Sequence, residues 1–134
     1  MRIVYCIPAT SNSGGMERVL ARKVNYLADL GHELIIITTD QRGAKPFFSL
    51  DESVQQYDLG INYDENNGQG ILAKALAYPR KKRLHKQRLQ ALLLKLRADI
   101  VISMFGDDSS FLPKIKDGSK KILEYHFSKL KRLQ

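Results

Sequence analysis

Apolar and polar positions recur along this chain with distinct periods, and the periods mark out its elements. Residues 3–7 (IVYCI) are a short run of β-formers that Pro8 stops. Residues 9–15 (ATSNSGG) are small and polar and end in two adjacent glycines. From Met16 the apolar side chains recur at Met16, Leu20, Val24, Leu27 and Leu30, with Val19 and Ala28 widening the same face. That spacing predicts an amphipathic helix, and Gly31 supplies its stop. Residues 33–39 (ELIIITT) carry the β-branched run of a strand buried on both faces of a parallel sheet. The opening third is therefore a βαβ unit with a glycine pair where strand turns into helix.

Beyond it, residues 41–51 read as loop, with Gly43 and Pro46 as breakers and Phe47 and Phe48 tucked into a core edge. Residues 53–58 predict a modest strand, with Val54 as its inward aliphatic side chain, and residues 59–70 predict a mobile surface loop. Residues 71–78 look helical, and Pro79 is expected to interrupt that helix or begin another. The next helix places Leu89, Leu92, Leu93 and Leu96 on one core-facing stripe. Residues 99–105 (DIVISMF) and 120–125 (KKILEY) predict two more strands. Strands alternating with helices define an α/β domain.

Size and charge narrow the picture. At 134 residues the chain supports one core, and a hydrophobic content of 43% suits a globular domain. Cys6 is the one cysteine, so no internal disulfide forms and a reducing compartment is the simple expectation. The apolar run after Arg2 is too short for a signal peptide, and no run approaches a membrane span. A cytoplasmic domain is expected. The 22 basic and 14 acidic residues leave a net charge of +8. Arg80, Lys81, Lys82, Arg83, Lys86, Arg88, Lys95 and Arg97 account for all of it, with no acid among them. Such a face is simply solvated, or meets anionic lipid, or binds nucleic acid. The absence of interleaved aromatics argues against nucleic acid.

The glycine pair has two readings. Amides at a helix start have no intrahelical acceptor and carry partial positive charge, so a phosphate fits over Gly14 and Gly15. Alternatively the pair serves a tight turn with positive φ. Neither a dinucleotide fingerprint nor a P-loop is present. After the fourth strand, Gly106-Asp107-Asp108-Ser109-Ser110 faces the same crevice, since ligands of open α/β sheets gather at the carboxyl ends of the strands. Asp107 and Asp108 there bind acceptor hydroxyls or cap a helix starting at Phe111, and capping is the simpler role.

Gly14-Gly15-Met16-Glu17-Arg18, followed by Leu27-Ala28-Asp29-Leu30-Gly31-His32-Glu33, resembles the G-G-x-E-R and G-H-E motifs of family 4 retaining glycosyltransferases of GT-B fold. Arg97-Ala98-Asp99-Ile100-Val101-Ile102 and Glu124-Tyr125-His126 extend the resemblance in the same order along the chain. It implies the N-terminal, acceptor-side domain: a three-layer Rossmann-like α/β fold with a mostly parallel sheet, strand order 3-2-1-4-5 and right-handed crossovers. It also implies transfer of a hexose from a nucleotide diphosphate sugar to an acceptor hydroxyl, with retained configuration, in bacterial polysaccharide or glycolipid synthesis. Gly14 and Gly15, with Arg18 as an anion partner, would hold the diphosphate, Asp107 would meet the acceptor, and His126 would position the donor sugar. Glu17 would sit in the first helical turn, where its charge suits the dipole.

No metal and no cofactor are expected beyond the donor substrate, because the family needs no metal-binding carboxylate pair. Partners would be the nucleotide sugar and a glycan or lipid-linked acceptor, with no nucleic acid. Arg80, Lys81, Lys82 and Arg83 would touch the inner membrane face as a peripheral contact. The family continues into a second Rossmann-like domain bearing an E-x7-E pair. Residues 1–134 are thus expected to be the first domain alone, truncated before the nucleotide-sugar domain and inactive by itself, with residues 127–134 opening a further helix. Two other classes stand beside this one. A response-regulator-like module would want acids after the first strand and a lysine after the fifth, where Pro8-Ala9 and Tyr125-His126 stand. A non-catalytic Rossmann-like module with a basic membrane- or nucleic-acid-contacting helix is the second.

Overall fold

In a computed structural model, the structure describes residues 1–63, 70–104 and 106–124, leaving aside the Asp107 side chain. The elements run β1 (Arg2–Cys6), α1 (Gly15–Asp29), β2 (Glu33–Thr38), β3 (Gln55–Asp58), α2 (Ile71–Leu96), β4 (Ile100–Ser103) and β5 (Lys120–Leu123). Two 3-10 turns, Asp107–Ser110 and Leu112–Lys114, lie between β4 and β5. The five strands form one sheet in the order β3-β2-β1-β4-β5, and every neighbouring pair is parallel. This is the expected order, in a sheet with no antiparallel pair.

Side chains of a strand point alternately to its two faces, and here that alternation divides the core. Ile3, Tyr5 and Ile7 of the first strand region, with Leu34 and Ile36 of β2, pack on Leu20 and Val24 of α1. Val4 and Cys6, with Ile35 and Ile37, pack on Leu89 and Leu93 of α2. The continuous apolar run in β2 is thus explained by helices on both faces. Leu92 and Leu96 lie partly buried beside the second cluster, which completes the predicted leucine stripe.

Helix α1 ends as its glycine requires. Gly31 has φ +96°, its amide donates to Ala28 O, and the His32 amide donates to Leu27 O, the paired bonds of a Schellman motif.

Four local expectations are corrected. Helix α2 runs unbroken through Pro79. Proline removes one backbone donor, and here the ring lies on an exposed stretch where water can satisfy the freed carbonyl. Residues 59–63 are not a surface loop, because Leu59 and Ile61 are buried in the α2-side core. Residues 64–69 lie outside the described residues. Phe47 does not tuck in but stands 60% exposed, while Phe48 is half-buried against it, ring centroids 5.0 Å apart. Finally, no α-helix starts at Phe111. The segment forms two short 3-10 turns, with Pro113 at the start of the second and without side-chain caps at Gly106 or Phe111. The expected continuation of helix at residues 127–134 lies outside the described residues.

Candidate functional site

Three loops meet at the carboxyl ends of the strands, and backbone bonds hold them together. Pro8, just past β1, accepts hydrogen bonds on its carbonyl from the amides of Thr39 at 3.1 Å and Asp40 at 2.8 Å. The loop after β4 closes on the same residue: a Cβ added to Gly106 would stand 3.5 Å from the Pro8 ring and 3.1 Å from Asp108 Oδ1. Gly106 therefore permits a close approach of the β4 loop to the β1 loop. Gln41 completes the clamp. Its Oε1 accepts from the Thr10 amide at 2.8 Å, and its Nε2 donates to Ala44 O at 2.7 Å, while the Phe47 amide donates to Thr10 O at 2.8 Å.

These contacts set the entrance to α1. Gly14 is the N-cap residue with extended backbone (φ −70°, ψ 170°), and Gly15 is the first helical residue. Neither has positive φ, which corrects the tight-turn reading. Among the described residues nothing calls for glycine at position 15, because an added Cβ would meet none of their atoms within 4 Å. Gly14 differs. An added Cβ would lie 2.7 Å from Glu17 Oε1, so the Glu17 carboxylate folds back over the helix start without making a side-chain cap bond. Among the described residues, the start of α1 is thus uncrowded at the Cβ position of Gly15 and shared with one carboxylate at that of Gly14.

Arg18 sits one turn into α1 with its guanidinium carbon 5.8 Å from the centroid of the Phe48 ring. That stacking holds the cation between α1 and the loop after β2. Asp107 begins the first 3-10 turn at the same end of the sheet, with its side chain outside the described residues. Asp108 does not cap. It is 3% exposed and forms part of the floor, lining a cavity of about 10 Å³ with Cys6, Pro8, Thr39 and His85. Burial, and then the Asp108 charge, push the Cys6 thiol well above its ordinary range, so Cys6 is an inert wall residue. His85 is likewise a buried structural residue, 3% exposed, with Nδ1 2.7 Å from the Tyr63 hydroxyl and its ring edge-on to Phe111.

At the far edge of the crevice, Lys23 of α1 pairs with Glu124, just past β5, at 2.8 Å. Tyr5 lies beneath, and burial followed by the Glu124 charge raises its phenol to about 12, so it stays neutral. His126 lies outside the described residues. Gly14, Gly15, Arg18 and the Asp107 turn are therefore brought to one end of the sheet.

Arg80, Lys81, Lys82 and Arg83 belong to α2 and stand apart from that cluster. Lys81 is only half exposed and donates to Asn62 O at 2.6 Å, while Lys82 lies 5.4 Å over the Tyr78 ring; Arg80 and Arg83 are exposed. Among the described residues, two larger and shallow depressions lie elsewhere. One of about 520 Å³ runs between β3 and α2, lined by Tyr57, Leu59, Arg88 and Leu92. Among the described residues no group of three or more His, Cys, Asp or Glu side chains could hold a metal ion, and no helix is long and apolar enough to cross a membrane.

Gln41, the buried position of Asp108 and the Tyr63–His85 contact had no signal in the sequence, since each joins residues distant along the chain. No family model matches the chain, and no curated protein matches it. Among solved structures it is similar to a UDP-galactose 4-epimerase at 15% identity and a TM-score of 0.40. The match covers 77% of this chain and 37% of that one, so the chain spans well under half of that structure's length.

Proposed function

We propose that this α/β domain is the acceptor-side half of a retaining, GT-B-type glycosyltransferase that moves a hexose from a nucleotide diphosphate sugar to an acceptor hydroxyl. The observation that carries the reading is the start of α1. Gly15 does not have positive φ, and among the described residues an added Cβ there would meet no neighbour, yet it stands at a helix N-terminus at the carboxyl end of a parallel sheet. A glycine there leaves the backbone amide open to a ligand. The G-G-x-E-R and G-H-E motifs support the same reading from the sequence.

In this reading the bond between the anomeric carbon and the diphosphate oxygen breaks as the acceptor oxygen bonds to that carbon, and the acceptor hydroxyl's proton passes to the departing diphosphate. Negative charge grows on the departing diphosphate. The Gly14 and Gly15 amides stabilise it through oriented dipoles, without giving up a proton. Arg18, fixed over Phe48, adds a positive charge one turn away. Asp107 meets the acceptor hydroxyl, and His126 positions the donor sugar. The nucleotide would be held by a second domain.

Binding is tested on the 134-residue chain by following backbone amides during titration with inorganic pyrophosphate and with nucleoside diphosphates. The Gly14 and Gly15 signals should shift first, and Gly15→Val should abolish the shift. Transfer is tested on the complete gene product, where Gly15→Val and His126→Ala should each lower kcat at least tenfold. If Gly15→Val leaves turnover untouched, the diphosphate seat is lost. If His126→Ala changes neither rate nor donor affinity, His126 returns to a structural role.

A further inference from the structure

The sheet has two edge strands, and they differ in character. β5 opens on Lys120 and Lys121, and lysines on an edge discourage further pairing. β3 reads QQYD, with no lysine, arginine or proline, and all four residues are exposed. Gln55 and Tyr57 stand in register with Ile35 and Ile37 of β2, so their side chains share the α2 face of the sheet. The Leu59 amide donates inward to Thr38 O at 2.8 Å, and backbone groups alternate in direction along a strand. The amides and carbonyls of Gln56 and Asp58 therefore point outward, away from β2. Beside this edge lies the depression of about 520 Å³. Arg88, Ala91, Leu92 and Lys95 follow the spacing of one helix face and form its inner wall, opposite Tyr57 and Leu59. Its middle is apolar, and the two cations stand at its ends, roughly 10 Å apart along the helix at about 1.5 Å per residue. Arg88 Nη1 donates to the carbonyls of Leu59 and Gly60, and among the described residues neither Arg88 nor Lys95 pairs with a carboxylate. Asp58 also lines the groove, but its carboxylate is committed to the Thr38 hydroxyl and Gly60 amide, both at 3.2 Å, and to the Arg42 amide at 3.1 Å.

We propose that an extended, acidic segment of a partner protein adds to β3 as a further strand, with alternate carboxylates meeting Arg88 and Lys95 over the groove. A strand placed about 4.8 Å beyond β3 would bond the outward groups of Gln56 and Asp58. Every second side chain of that strand turns to the α2 face, where Tyr57, Ala91 and Leu92 give apolar contact and the cations take acids. Arg88 keeps its other guanidinium nitrogens for a carboxylate, and Lys95 is exposed. A second copy of the chain suits the edge less well. Pairing β3 with its own copy would merge two cationic grooves, on chains that each carry a net charge of +8. Nucleic acid would use the cations and leave the backbone edge unpaired. The inference stands independently of sugar transfer.

The test follows backbone amides of the 134-residue chain during titration with the peptide acetyl-TVEVEVT-amide, with acetyl-TVKVKVT-amide as control. The Gln56 and Asp58 signals should shift with the glutamate peptide and stay in place with the lysine peptide. Lys95→Glu should weaken binding about tenfold, because it turns an attraction into a repulsion at an exposed site. Gln56→Pro removes an outward amide and leaves the ladder to β2 intact, so it should abolish the shift at Asp58. Should the proline lower the thermal midpoint, Lys95→Glu still decides, since that side chain lies on the outside of the helix. No shift at Gln56 and Asp58 overturns the proposal, as does equal binding of the lysine peptide. Glutamate-peptide binding that survives both substitutions unchanged lies elsewhere on a basic chain and overturns it too. An oligonucleotide that moves the same amides at lower concentration overturns it in favour of nucleic acid. A dimer in sedimentation that Gln56→Pro dissociates and the peptide leaves intact overturns it in favour of a second copy.

Discussion

The Gln41 side chain accepts the Thr10 backbone amide at 2.8 Å across 31 residues, and it is buried while doing so. Through that bond the loop after β2 fixes the loop that leads to Gly14 and Gly15, so the helix start is held before any ligand arrives.

Replacing Gln41 by leucine should therefore affect both stability and binding. The Thr10 amide would lose its buried acceptor, at a cost of about 1–3 kcal/mol. Urea unfolding of Gln41→Leu should report that loss, and pyrophosphate titration should show weaker shifts at Gly14 and Gly15. Unchanged stability would show that this bond does not hold the two loops.

The glycines should divide by physical role. Gly31→Ala should destabilise by about 1–2 kcal/mol, because φ +96° is unfavourable for an L side chain. Gly15→Ala should instead be neutral or stabilise by about 0.4–1 kcal/mol, since its conformation and surroundings accept a methyl. Thermal unfolding of the two variants decides the matter. A large loss for Gly15→Ala would mean that the residue has a packing role.

Glu17 should weaken the binding of anions. Its carboxylate folds over Gly14 at the positive end of α1, where an incoming phosphate would meet it. Glu17→Gln removes that charge and keeps the shape, so affinity for pyrophosphate should rise severalfold at low ionic strength. A fall in affinity would indicate that Glu17 arranges the seat.

Acid stability should depend on Asp117. Burial pushes its carboxyl up, but the Lys121 ammonium and the Ser119 hydroxyl and amide outweigh that and hold it below the ordinary carboxylate range. A folded-state pKa below the unfolded value means that the unfolded chain binds more protons as the solution is acidified. The stabilisation is complete above the unfolded value of about 3.9 and is lost as pH falls through the lower folded one. Asp117→Asn should lower stability at pH 7 by about 1–3 kcal/mol and flatten the decline below about pH 4. Urea unfolding at several pH values would show it, and an unaltered acid limb would count against the pairing.

What the sequence determined by itself was the local pattern. The alternation in IVYCI and the unbroken run in ELIIITT encode which faces are covered, and the stripe from Met16 to Leu30 encodes one helix face ended by Gly31. These periods depend only on neighbouring residues, so the α/β class, the helix stop and the glycine pair at the carboxyl end were all legible. Tertiary structure decided what depends on meetings between distant residues. Gln41 reaching Thr10, Asp108 sinking beside Cys6, and Arg18 lying over Phe48 leave no period in the chain. The same holds for surfaces. Ile71, Leu72 and Leu76 read as ordinary helical apolar residues, and only the folded chain shows them exposed. Spacing states which residues share a face, whereas burial depends on what the rest of the chain brings to that face.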